Sequence, residues 1–454
     1  MRGPAVNARF LIPLASLLAL LPACSDDSDG SSNETQPPAQ DAAADVVSPL
    51  DGAPDAAPED ATADTAEVGP DVAADVLGDT ASEAATEAGP EAGPDAAACV
   101  VDPQTPPDGA RTVLVAHPYG PDGATCGRLV RVVRMDPTGA LSDTGNTLDV
   151  GDCPTRVRFA PDGRLAFVIV SNSHNPGAGM QRVVVLRNDA AGNVSIVTEL
   201  TEFSGTNPIE ISFSLDGTKA YVPDFDMSTG GVHVIDVVPG CTATYKKKID
   251  MPLPHNVQPL PGGKYAFVMG NKDPLDSALI DLETETVVDN YDLFSDWTDS
   301  YTVSLSPDGK YLAVPNSSPF SSLAETVATI ELDTSGAKPV PTLAFTLSNV
   351  TEPTGVLWSP DGTKLLVSTF SGNKVHWMNA GTDGELSIGG TLTGIGLAGY
   401  VSMVERGKNE GLVLVTSVTS IHALRFTASG IEKSSELSFG SGNDAIPNDV
   451  AVEP

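Results

Sequence analysis

Four stretches of the chain spell nearly the same turn. They are FAPDGRLAFV (159–168), FSLDGTKAYV (213–222), LSPDGKYLAV (305–314) and WSPDGTKLLV (358–367). Counting related Asp-Gly and Gly-Gly pairs, turns fall at 108, 162, 216, 262, 308 and 361, with spacings of 54, 54, 46, 46 and 53. A degenerate seventh, Arg406-Gly407-Lys408-Asn409-Glu410-Gly411, follows about 49 residues later. Periods of this size mark a ring or stack of like units. Asp-Gly suits a tight hairpin, because Gly tolerates positive φ and Asp hydrogen-bonds its own backbone.

Each unit repeats four strand-like segments. The segment before the turn alternates apolar and polar residues, as in PTRVRFA (154–160) and PTGVLWS (353–359), the pattern of a half-buried strand. The one after it has an apolar centre, as in RLAFVIV (164–170) and TKLLVST (363–369). A third recurs as QRVVVLRN, GVHVIDV, TVATIEL and SIHALRF, and a more polar fourth follows. Four antiparallel strands in each of seven units predict a seven-bladed β-propeller over 99–454. The domain begins with a turn that lacks its preceding strand, TPPDGARTVLVA (105–116). It ends with a first strand that lacks its turn, IPNDVAVEP (446–454). Pairing the two completes one blade and removes the open sheet edges. The blade grammar resembles that of the lactonase-like and YVTN-repeat propellers. That resemblance implies the fold and raises sugar-lactone hydrolysis as one activity. The shared residues are turn and core residues, and a fold of many functions does not choose among them.

The N-terminus sets an expected location. Arg2 and Arg9 precede an apolar run, Phe10–Leu21, too short for a permanent membrane span and in the order of a secretory signal. Leu21-Pro22-Ala23-Cys24 resembles the lipobox of bacterial lipoproteins, so 1–23 is read as a signal peptide and Cys24 as the lipidated residue. Acyl chains at about 0.8 kcal/mol per buried methylene would hold the protein in the envelope, and Ser25 favours the outer membrane. Residues 25–98 carry nineteen Asp or Glu and no Lys, Arg or aromatic. With Cys24 they predict a disordered acidic Ala/Pro-rich tether (24–98), spanning about 50 Å.

Of the formal charge of −35, residues 99–454 hold −18. That argues against nucleic acid and against adhesion to anionic lipid other than through the anchor. No motif for a cofactor or a metal is present. Aligning the repeats on the turn places Arg156, Glu210, Asn256, Thr302, Gly355 and Asp449, with Val401 as the seventh, around the channel mouth. Arg156 would lie between the carboxylates of Glu210 and Asp449. That is either a polar ligand site or charge pairing around a water-filled channel. Asp152, Asn207, His255, Asp299, Glu352 and Asn448 are further rim candidates. For lactone hydrolysis, Glu352, His255 and Arg156 would serve as base, shuttle and clamp. However, the adjacent Arg-His that the family carries before the turn is replaced by Thr155-Arg156. Export would also separate such an enzyme from a cytoplasmic sugar phosphate.

His233, His376 and His422 fall at one position of the third strand in three blades. They are expected to face solvent and cannot converge on one metal. His117 and His174 end second strands and are placed within reach of the rim. Cys126, between second and third strands, and Cys153, before the next inner strand, share a face and are expected to form a disulfide. Cys99–Cys241 follows by elimination, with free thiols as the alternative. The leading expectation is a monomeric, membrane-anchored binding module for a protein, glycan or small ligand. A lactonase-type hydrolase and a structural envelope component are the alternatives.

Overall fold

In the computed structural model the described residues are 109–454, except 124, 172–180, 227–229, 273–274, 295–299, 301, 318–324 and 371. The signal, Cys24, the tether, Cys99, His174 and Asp299 lie outside them. The described chain forms seven four-stranded antiparallel sheets and, among its described residues, no α-helix.

Blades are numbered from the one that closes the ring. Their inner strands are Asp449–Val452 in blade 1, Pro154–Phe159 in blade 2 and Ser212–Phe213 in blade 3. Pro254–Pro259, Ser304–Leu305, Pro353–Trp358 and Val401–Met403 follow in blades 4 to 7. Blade 1 is composite. The C-terminal strand Asp449–Val452 pairs antiparallel with Arg111–Tyr119, with Val113 opposite Val452 and Ala116 opposite Asp449. Ring closure by the C-terminal strand and the first described strand is thus as the sequence predicts. A buried guanidinium reinforces it: Arg111 donates to the Glu453 carbonyl at 2.9 Å, and the Glu453 carboxylate accepts the Thr112 N–H.

The repeated turn works as its chemistry requires. Asp216, Asp308 and Asp361 each accept the N–H two residues on and a Ser hydroxyl two residues back, the latter at 2.6–2.7 Å. The glycine after each has φ between 69 and 74°, where any side chain would be strained.

The second strands are apolar on both faces because each blade is covered on both sides. Val113 and Val115 pack with Leu412 and Leu414 of blade 7. Leu114 and Ala116, alternating with them, pack with Val157, Ala166 and Val168 of blade 2. Seven such cores are present, one at each junction between neighbouring blades. Burial at about 25 cal/mol per Å² of apolar surface makes these junctions the main favourable contribution. The outer strands pack on one face only, so Leu141–Asp149 is exposed along most of its length.

Candidate polar site at the inner edge of blades 7, 1, 2 and 3

An inner strand has one edge with no neighbouring strand, so its buried N–H groups need side-chain acceptors. In blade 2, Val157 and Phe159 enter the core toward blade 1. Arg156 and Arg158 alternate with them on the other face. The Val157 N–H is taken by Asp449 Oδ2 at 2.9 Å. The same oxygen accepts Arg158 Nη1 at 2.5 Å, and Arg158 Nη2 reaches Glu210 Oε2 at 3.0 Å. One guanidinium thus bridges blades 1, 2 and 3.

Arg156 is placed differently from the sequence expectation. It lies 3.6 Å from Glu210 Oε2, and Asp449 pairs with Arg158 instead. Its guanidinium lies over the Tyr400 ring, 3.6 Å from the centroid, and donates to the Tyr400 hydroxyl. A cation on an aromatic face at this depth is worth about 2 kcal/mol. The alignment missed both Arg158 and Tyr400. Two signals mark them: Arg158 is two residues from Arg156 on the same strand face, and Tyr400 immediately precedes Val401.

Burial governs the titration of this group. It raises the pKa of Glu210, which the two guanidinium groups only partly offset, and it pushes the Tyr400 hydroxyl up to about 12. Burial disfavours the Arg158 charge, but Asp449 and Glu210 outweigh it and hold that pKa above its ordinary value. Two positive and two negative groups balance. Asp449 Oδ1 and Arg156 Nε are the buried atoms left without a hydrogen bond.

Other ring positions serve the strands. Thr302 Oγ1 accepts the Val356 N–H at 3.0 Å and donates to the Thr354 carbonyl. Gly355 meets backbone closely, since a Cβ there would fall 3.1 Å from the Gly399 carbonyl and 2.6 Å from Ser368 Oγ. Asn448 donates to the Thr155 carbonyl at 2.7 Å, Asn207 to that of Phe225, and exposed Asp152 pairs with Arg128. Asn256 and Val401 are buried at their inner strands. Glu352, His255 and Arg156 stand on blades 6, 4 and 2. Among the described residues no hydrogen bond, ion pair or ring contact joins any two of them. Glu352 has φ 41°, and its carbonyl accepts the Phe370 N–H; His255 packs edge-on against Phe225 at 5.2 Å.

The three third-strand histidines do not face solvent. His233, His376 and His422 are buried between third and outer strands, because neighbouring blades cover the third strand on both sides. Each ring lies near a hydroxyl: Tyr245 at 3.2 Å, Thr391 at 3.0 Å and Ser420 at 3.1 Å. His117 is buried edge-on against Phe439 at 4.9 Å, and burial with the nearby Arg131 lowers its pKa to about 3. Among the described residues no group of three His, Cys, Asp or Glu is placed to hold a metal. Cys126 and Cys153 are joined by a disulfide. Cys241 is disulfide-bonded too, and Cys99, its expected partner, lies outside the described residues.

No family model and no curated protein matches the chain. Solved structures do match. A periplasmic gluconolactonase of Pseudomonas aeruginosa superposes with TM-score 0.59 at 16% identity, over 76% of this chain and 99% of that one. A candidate 6-phosphogluconolactonase of Bacteroides fragilis gives 0.60 at 15%, over 77% and 99%. Its counterpart from Bacteroides uniformis gives 0.60 at 13%, over 75% and 99%. The fold is a seven-bladed propeller like those of these three proteins; at these identities the likeness speaks for architecture alone.

Proposed function

We propose that this protein is an exported, lipid-anchored propeller of the bacterial envelope that acts as a binding module, presenting its face loops to a protein or glycan partner. The observation that carries the reading is the closed polar group at the inner edge. Arg158 is taken up by Asp449 and Glu210, and Arg156 by Tyr400. Among the described residues there, each guanidinium and each carboxylate is engaged by another member of the group. Export is supported by the signal-like N-terminus and by the Cys126–Cys153 disulfide, which persists in oxidising compartments. The lipobox-like Leu21–Cys24 supports the anchor.

The immobilised mature chain is expected to retain an envelope protein or glycan. Substitutions in the loops between second and third strands should abolish capture, and Arg156→Ala should leave it intact. Failure to capture any component, with a defective envelope on deletion, would favour the structural role.

The second reading is lactone hydrolysis. It is favoured by the likeness to a periplasmic gluconolactonase, which removes the objection from compartment. Turnover of glucono-1,5-lactone above the spontaneous rate, lost in both Glu352→Gln and Arg156→Ala, would establish it and overturn the binding reading.

A further inference from the structure

The joint between one blade and the next recurs around the ring. In blades 2, 4 and 6 the residue before the inner-strand proline is left-handed: Cys153 at φ 61°, Leu253 at 44° and Glu352 at 41°. In the first two, its N–H reaches back to a carbonyl of the preceding blade. Cys153 donates to the Gly127 carbonyl at 2.8 Å, and Leu253 to that of Asp226 at 3.3 Å. A non-glycine residue in this region of φ costs of order 1 kcal/mol and persists only where its surroundings impose it. At blades 3–4 that hydrogen bond and the burial of Leu253 suffice. At blades 1–2 a covalent bond is added.

That added bond sits at a particular place. Blade 1 is the composite blade, whose inner strand Asp449–Val452 comes from the C-terminal end of the chain. The strand that follows Cys153 carries Arg156 and Arg158. The same seam holds the Asn448–Thr155 and Asp449–Val157 hydrogen bonds. The two residues differ in access: Cys153 is fully buried, while Cys126 is partly exposed beside exposed Thr125 and Arg128. Cys241 is buried.

We propose that Cys126–Cys153 is a redox-sensitive clasp between blades 1 and 2, whose reduction by an exported dithiol loosens blade 2's inner strand and its arginines while the other joints hold. The reductant's thiolate attacks Cys126 Sγ, and Cys153 leaves with the electron pair and takes up a proton. The reductant's second thiol then displaces Cys126 and closes its own disulfide. Two electrons pass to the protein and the reductant is oxidised by two.

Dithiothreitol titration of the full mature chain, with alkylation and mass spectrometry, gives the order of reduction. Cys126 and Cys153 are expected to label together, before Cys241. Amide exchange on the same samples should show 154–159 and 449–452 losing protection at least tenfold, with 254–259 and 353–358 unchanged. The Cys126→Ser/Cys153→Ser double variant, which keeps the Cys241 bond, should reproduce that local pattern without reductant. If it does not fold, the wild-type titration alone decides. Labelling of Cys241 first, or loss of protection equally in all four segments, would overturn the proposal. So would labelling without change at 154–159.

Discussion

Blades 1 and 2 and blades 5 and 6 meet the same requirement with different chemistry. Between the first pair, the inner-strand N–H of Val157 is accepted by a carboxylate that also holds a guanidinium. Between the second pair, the N–H of Val356 is accepted by the Thr302 hydroxyl at nearly the same distance, with Ser304 accepting the Trp358 N–H beside it. The hydroxyl junction shows that the ring can be joined without charge. Charge is therefore not demanded by the fold at this position. What it adds is mutual dependence: a hydroxyl satisfies one neighbour, whereas Arg158 ties three blades into one group.

The difference can be broken from either side. Arg158→Met keeps the volume and leaves Glu210 and Asp449 buried without their shared cation. Stability should fall by about 3–5 kcal/mol at pH 7 in denaturant titration. Burial already raises the Glu210 pKa, so the folded state holds that proton more tightly than the unfolded chain. Stability lost in Arg158→Met should therefore return in part as pH falls from 7 toward 4.5, the ordinary value for Glu, as one carboxylate is neutralised.

Thr302→Val, at the neutral junction, should cost less, about 1–2 kcal/mol, for one buried N–H left unpaired. Its cost should not vary over that pH range.

A smaller effect belongs to a peripheral clamp between blades 3 and 4. Glu285 Oε1 accepts Lys219 and Lys246, each at 2.6 Å. Burial favours the protonated form, but the lysines outweigh it and hold the pKa down from 4.5 to about 2. Its contribution is full above pH 4.5 and fades as pH falls toward 2. Glu285→Gln should flatten that part of the melting-temperature profile and cost about 0.5–1 kcal/mol at neutral pH, since the lysines are partly solvated.

The architecture could be read from the chain because its cause is local. Asp216, Asp308 and Asp361 each fix a turn within a few residues, and the turn's recurrence counts the blades. The tail's Asp449–Val452 was recognisable as a strand lacking its hairpin. The disulfide followed from two loops on one face. The inner-edge group was half legible. Arg156, Glu210 and Asp449 were found by register, but which of them pair depends on side-chain reach between blades, and Arg158 takes the partner assigned to Arg156. Tyr400 was missed because blade 7 has a degenerate turn, and a shift of one residue there replaces Tyr400 by Val401. The histidines were misplaced for a physical reason too: alternation along a third strand suggests an exposed face, but in a ring both faces meet another blade. Glu352, His255 and Arg156 were grouped as rim candidates, but they stand on three blades that are not neighbours.

A double-mutant cycle on Arg158→Met and Asp449→Asn, read by equilibrium unfolding at pH 7, tests most directly whether these charges are committed to one another. A coupling energy of about 2–3 kcal/mol is expected for a buried, mutually satisfied pair. Coupling below about 0.5 kcal/mol would contradict it and leave Arg158 free to serve a ligand.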